Sequence, residues 1–413
     1  MKVAGAAIEP GPLLLLAALF AGVTAADGAG HQAELEGEPI NRLQVLGTHN
    51  SYAMPIDPKL VALASPMVER MYSKAHAAQD RFTDDERALL AEEHPQRVDF
   101  ADARAYEFPP LRQQLDDGMR SLELDIYNDP EGGAFTGPAG YRRLQMEGVT
   151  DTLPHDESHL GEPGLKVLHV PDLDFRTHCA TFSACLEELA LWSDNNPRHE
   201  PVFVLVELKT RAMPLFDEAA AVVPFDQSAF DELDETLIAA MGRGRVITPD
   251  DVRGDYETLN QAVLAGNWPT LAQSRGRFVF LVITAGDLSA HAPYLENASN
   301  LQGRAAFLRA QPGEDHAAFL MLDNALVREA EIRERVREGY LVRTRADIDT
   351  WEAQQNDWGR ARSAFRSGAQ VISTDFYQSG NRFGTEYRVS LPGTAPIRRS
   401  PAFERNHDDR DER

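Results

Sequence analysis

The chain has 413 residues, 43% of them hydrophobic, which is enough to bury a large core as one α/β barrel or as two ordinary domains. Its net charge is −24, from 65 acidic against 41 basic residues, and this argues against a nucleic-acid partner and against passive adsorption to an anionic membrane. An anionic substrate therefore has to be held by a local basic site or by a bound cation.

Near the amino terminus, Lys2 precedes an apolar run from Leu13 to Val23 that is too short to span a bilayer. Small residues at Ala25 and Ala26 follow, before Asp27. This reads as a cleaved signal peptide over residues 1–25, with an N-terminal anchor helix as the alternative. The expected location is secreted or periplasmic. No later stretch is long or apolar enough to cross a membrane. Two cysteines, Cys179 and Cys185, agree with export, since an oxidising compartment lets them close a small disulfide loop. Two reduced buried thiols are the alternative, and two sulfurs alone argue against a zinc site.

Residues 26–390 read as an alternation of strands and helices. The apolar run Leu43–Leu46 is a buried strand that stops at Gly47, after which Thr48, His49 and Asn50 follow. Residues 54–107 read as a mostly helical insertion, with Val68, Met71, Tyr72, Leu89 and Leu90 spaced for one face, either a lid or a plain surface insertion. Pro109–Gly118 is a helix that leads into the strand Ser121–Tyr127, where Leu122, Leu124 and Ile126 alternate with Glu123 and Asp125. Asn128–Gly164 is a loop by its turn chemistry. Within it His155 and His159 have the spacing of a metal pair on a helix, but Pro154 and Gly161 argue for loop.

Leu165–Asp172 is a third short strand ending in His169. A helix through Leu186–Trp192 precedes Pro201–Lys209, a near-continuous apolar strand that ends in Glu207 and Lys209. Further strands fall at Arg277–Ile283, at Ala318–Leu322 before Asp323, at Tyr340–Thr344 with Arg343 and Arg345, and at Gln370–Thr374 before Asp375 and Tyr377. Helices at Ala325–Glu338 and Thr350–Arg366 lie between them. The strand count is eight, the sequence form of an irregular (β/α)8 TIM barrel. Residues 391–413 are charged and poor in apolar side chains and read as a disordered tail.

In a barrel, polar residues at strand carboxyl ends share one mouth. Asn50, Glu123, Asp125 and Glu207 are hard oxygen donors from three strands, a set that suits Ca²⁺ better than zinc. Without a cation the three carboxylates would repel strongly, although each taken singly also reads as an interior ion pair with Lys209 or an arginine. Two histidines in the same mouth, beside a divalent ion and guanidinium groups, suit phosphodiester chemistry.

In that order and at those strand ends, LGTHNSY (46–52), RSLELDIY (120–127), KVLHVPD (166–172) and VFVLVELK (202–209) resemble the catalytic domain of phosphoinositide-specific phospholipases C, most of all the secreted calcium-dependent bacterial branch. The resemblance covers roughly residues 40 to 380. It implies that His49 and His169 are the catalytic pair, the first stabilising the phosphoryl transition state and the second acting as general acid. It matches Asn50, Glu123, Asp125 and Glu207 to the calcium ligands, one carboxylate also serving as base for the inositol 2-hydroxyl. That hydroxyl attacks its own phosphate, releasing diacylglycerol and a cyclic inositol phosphate. Lys209, Arg343, Arg345 and Tyr377 become substrate contacts.

The implied substrate is phosphatidylinositol or a related phosphodiester, with peripheral membrane contact and a monomeric state expected. Two other readings stay open from the residues. One is a glycerophosphodiester phosphodiesterase, which shares the barrel, the E-x-D pair and two histidines but opens with a His-Arg-Gly turn. The other is a secreted calcium-binding barrel without turnover.

Overall fold

The computed structural model describes residues 34–77, 98–284 and 288–404. The expected signal peptide, Leu89 and Leu90, the side chain of Tyr72 and residues 405–413 lie outside the described residues. Among the described residues ten strands form one sheet: β1 Leu43–Thr48, β2 Ser121–Tyr127, β3 Lys166–Val167, β4 Val202–Leu208, β5 Phe278–Ile283, β6 Phe307–Leu308, β7 Phe319–Asn324, β8 Leu341–Arg345, β9 Val371–Thr374 and β10 Ile397–Arg399. Eight of them are parallel neighbours in the order β6-β5-β4-β2-β1-β9-β8-β7. The two ends meet where the Ala310 amide donates to Phe319 O at 3.0 Å, beside a parallel bridge from Arg309 to Phe319. The result is an eight-staved parallel barrel, all but closed, wrapped by helices such as Phe182–Asn195, Gln227–Met241 and Ala325–Glu338.

Staves covered on both sides should be apolar on both, and β4 and β5 are buried at every position. In β2 the alternation sends Leu122, Leu124 and Ile126 into the main apolar cluster. Glu123 and Asp125, equally buried, take the other face and point into the barrel.

Four expectations need correction. The run Leu165–Asp172 is not a stave: only Lys166–Val167 is strand, and it pairs antiparallel with Ile126 and Tyr127. The chain turns back at once, with Val170 bridging Asp174 and Asp172 in the left-handed region at φ 66°. The stave that replaces it is β6, two residues long, too short to show any period. Second, the loop 128–164 contains the helix Ala139–Met146. Gly140 lets this helix press against the turn, since a Cβ there would sit 2.2 Å from Asp172 O. Third, the helix expected over Thr350–Arg366 is two, Trp351–Gln355 and Gly359–Ser367, broken where Asn356 is left-handed at φ 53°. Fourth, the charged tail is partly ordered. β2 begins opposite Gly47, which leaves the first half of β1 open on that side, and β10 fills it by pairing Leu43–Val45 with Ile397–Arg399.

A second apolar cluster lies over the carboxyl edge of the barrel. The helix Pro58–Ala77 contributes Leu60, Ala64 and Val68 at four-residue spacing, and they pack with Phe100, Tyr127, Phe135, Leu144, Leu168, Leu173 and Phe175. The β1–β2 connection is thereby anchored to the loops that surround the mouth. Among the described residues no helix is long and apolar enough to cross a membrane. Cys179 and Cys185 are joined in a disulfide at the start of the helix Phe182–Asn195.

Candidate active site

The turn after β1 is locked to β2 before it presents any side chain. Gly47 packs against Ser121 so closely that a Cβ would fall 2.1 Å from Ser121 O. Asn50 adopts φ 50°, and beyond it Ser51 and Glu123 exchange two bonds: Ser51 N–H to Glu123 O at 2.9 Å, and Glu123 N–H to Ser51 Oγ at 2.8 Å. Gln114 closes the turn from behind, donating to Ser51 O at 2.6 Å and accepting from Thr48 Oγ1 at 2.6 Å. His49, Asn50 and Glu123 are therefore held on one edge by buried hydrogen bonds.

On the next stave Glu207 stands in register with Asp125. One carboxylate oxygen from each of Glu123, Asp125 and Glu207 lies within 4.8 Å of the other two, and all three residues are buried. Two cations hold them. Lys209 Nζ is 2.7 Å from Asp125 Oδ2 and 2.9 Å from Glu207 Oε1, and Arg343 Nη2 is 2.9 Å from Glu123 Oε2 while its other arm pairs with Asp323. Burial pushes Glu123 up to about 7, more than Arg343 offsets, and it pushes Asp125 up in the same way. Burial also opposes ionisation of Glu207, but Lys209 overrides it and holds this carboxyl below its usual range.

Asn50 Oδ1 and both Asp125 oxygens are buried with no hydrogen-bond donor in line, Lys209 being close enough to pair as a charge but not aligned. Buried acceptors left over in this way, next to two further carboxylates, fit a hard divalent cation of the Ca²⁺ type.

Each histidine is backed by an aspartate. His49 Nδ1–H donates to Asp375 Oδ1 at 3.0 Å, and Arg345 Nη2 reaches Asp375 Oδ2 at 3.1 Å. Asp375 is held in turn by Asp347, which accepts the Asp375 amide at 2.8 Å and the Tyr387 hydroxyl at 3.2 Å. His169 Nδ1–H donates to Asp174 Oδ2 at 2.7 Å, and Tyr127 OH donates to His169 O at 2.8 Å. Both rings thus present Nε2 to the mouth. Burial, then Arg345, holds His49 well below the usual imidazole range. Burial, then Arg104, holds His169 down to about 4. Both are neutral at rest.

The expected substrate contacts are placed unevenly. Lys209 and Arg343 are committed to carboxylates, and Arg345 stands beside His49 Nδ1 at 3.3 Å. Tyr377 is on the rim, its hydroxyl donating to Asp117 Oδ2 at 3.0 Å and its ring stacked 6.4 Å from Phe108. The histidines of the long loop form no metal pair: His155 bonds Glu157 at 3.0 Å between Tyr141 and Phe175, whereas His159 lies exposed beside Glu162.

Asp174, Asp347, Arg104 and Tyr106 were not singled out from the sequence. Asp174 had a signal, since it follows His169 by five residues across a Pro-Asp turn. Arg104 and Tyr106 come from the end of the 54–107 insertion. There Tyr106 OH accepts from Asn50 Nδ2 at 2.7 Å and Arg104 Nη1 lies 3.5 Å from His169 Nε2. A cleft of 240 Å³ opens between this segment and the loop after β9, lined by Arg104, Tyr106, Phe108, Phe376, Tyr377 and Arg382.

A family profile described as phosphoinositide phospholipase C, Ca²⁺-dependent, matches residues 39–401. Among solved structures, a calcium-dependent phosphoinositol-specific phospholipase C from a Pseudomonas species is similar, with 14% identity and a TM-score of 0.49 over 89% of this chain and 97% of the other. A Ca²⁺-dependent phosphatidylinositol-specific phospholipase C from Streptomyces antibioticus shows 18% identity and a TM-score of 0.47 over 82% and 94%. The phosphatidylinositol-specific phospholipase C of Listeria monocytogenes shows 10% identity and a TM-score of 0.37 over 82% and 90%. No curated protein matches the chain.

Proposed function

The chain belongs to the Ca²⁺-dependent phosphoinositide phospholipase C family, and from that premise we propose that it cleaves phosphatidylinositol by internal attack, releasing diacylglycerol and a cyclic inositol phosphate. The observation that carries the reading is the pair of imidazoles, each tied through Nδ1 to a buried aspartate and both close enough to Glu207 of the oxygen cluster to act on its carboxyl. Such pairs suit a reaction that must steady charge at one oxygen while protonating another.

Asn50, Glu123, Asp125 and Glu207 would hold Ca²⁺, which when bound supplies positive charge against the phosphoryl oxygens and makes the neighbouring 2-hydroxyl more acidic. The inositol 2-oxygen forms the new bond to phosphorus, and its proton passes to a carboxylate of the cluster. His49, fixed by Asp375 and flanked by Arg345, takes up a proton at Nε2 with the anionic substrate and from there stabilises the charge that grows on the phosphoryl oxygens. His169, neutral at rest, takes a proton from solvent at Nε2 as the anionic phosphate enters; the bond to the glycerol oxygen then breaks and Nε2 gives that oxygen the proton, so diacylglycerol leaves neutral. The phosphate keeps one negative charge in the ring. The Cys179–Cys185 bond supports an oxidising compartment, which we take as secreted or periplasmic.

Phosphorus NMR of the products tests this directly. Phosphatidylinositol vesicles should yield a five-membered cyclic phosphate first, and an analogue lacking the 2-hydroxyl should not be cleaved. An acyclic phosphate as the first product, or cleavage of the analogue, would show that water is the nucleophile.

A further inference from the structure

The segment 98–108 reaches over the mouth from the β1–β2 connection and is pinned along its length. Asp99 caps the short helix Phe100–Ala103 by accepting the Ala101 amide, and Thr350 Oγ1 donates to Asp102 O at 2.9 Å. Phe108 N–H donates to Ala53 O at 3.1 Å, and His178 Nε2–H donates to Phe108 O at 2.6 Å. Between these ties stands Arg104, on the side of His169 away from Asp174, with Nη1 3.5 Å from Nε2.

A guanidinium beside the working nitrogen of a general acid suits the neutral ring at rest but opposes the imidazolium that the acid must become. The arrangement gains a purpose when an oxygen that is acquiring negative charge sits between them. An oxygen within hydrogen-bond reach of Nε2 is also beside the guanidinium, and arginine, which keeps its proton, can hold that oxygen without competing as the acid. Arg104 also lines the 240 Å³ cleft, so the same side chain joins the protonating nitrogen to a space open for the departing group.

We propose that Arg104 is a further catalytic residue, donating a hydrogen bond to the glycerol oxygen as His169 protonates it, with the cleft receiving the leaving group. The inference rests on the phosphodiester reading above. As the bond from phosphorus to the glycerol oxygen breaks, its electron pair stays on that oxygen. The proton comes from His169 Nε2, and Arg104 lends a hydrogen bond only.

The test compares wild type and Arg104→Gln on two soluble inositol 1-phosphodiesters that differ in the leaving group, butyl alcohol in one and 4-nitrophenol in the other. The phenolate departs without a proton, so help at the leaving oxygen matters little for it. The readout is the ratio of the aryl to the alkyl kcat in one preparation, which is insensitive to the fraction folded. Arg104→Gln should raise that ratio about 10- to 100-fold, the size expected for a charge-assisted hydrogen bond lost at one oxygen. An unchanged ratio, with both rates lowered alike, overturns the assignment while leaving the phosphodiester reading intact. A wild-type protein that cleaves neither compound overturns that reading, and the role of Arg104 with it.

Discussion

Lys209 Nζ stands 2.7 Å from Asp125 Oδ2, inside a cluster of three buried carboxylates that share few other donors. The lysine is the internal countercharge of that cluster. Removing one partner of a buried ion pair leaves an uncompensated charge, at a cost of about 3 kcal/mol or more. Lys209→Met should therefore lose about that much stability in urea unfolding without calcium, and a smaller amount with calcium present. A variant as stable as wild type in chelator would show that the carboxylates do not rely on the lysine.

The two aspartates behind the histidines act through orientation. In Asp174→Asn and Asp375→Asn the partner ring faces an amide that can donate as well as accept, so it loses the carboxylate charge and its preferred tautomer. Each of Asp174→Asn and Asp375→Asn should lower kcat about 100-fold on phosphatidylinositol with little change in KM. Losses of less than about threefold would remove the orienting role.

His169 also makes a pH prediction about stability. Its native value is held down to about 4 by burial and then by Arg104, against the ordinary 6.5. Between those values the unfolded chain binds the proton and the native protein does not, so stability is full above pH 6.5 and falls as the pH drops toward 4. The loss from this residue is at most about 3 kcal/mol. Thermal unfolding of wild type and His169→Asn over that window should show the shallower slope in the variant. Parallel slopes would mean that His169 does not titrate as its surroundings dictate.

Much of the site was legible before the fold. Strands of period two carry their chemistry in plain view, and Glu123-x-Asp125 and Glu207-x-Lys209 lie where the alternation puts them, on neighbouring staves in register. His49 and Asn50 follow β1, which runs one residue past the expected stop at Gly47, to Thr48. His169 was found for an incomplete reason: it reaches the mouth from a tight turn after a two-residue strand, not from a stave. The stave β6 has no pattern to read at two residues. Arg104 and Tyr106 reach the site from a connection more than fifty residues after β1 in the chain, and only tertiary packing of the Leu60–Ala64–Val68 face brings them there. β10 was missed because its pairing depends on how late β2 begins.

Calcium-dependent cleavage by this oxygen set is measured by the initial rate of inositol phosphate release from phosphatidylinositol vesicles as a function of free Ca²⁺, with wild type and Asp125→Asn side by side. Release should depend on calcium saturably and vanish in chelator, with a half-saturating concentration shifted at least about tenfold upward in the variant, since one carboxylate charge of the oxygen set is lost. Undiminished release by the wild type in chelator would contradict this dependence, and would leave Lys209 and Arg343 as the cations on which the reaction depends.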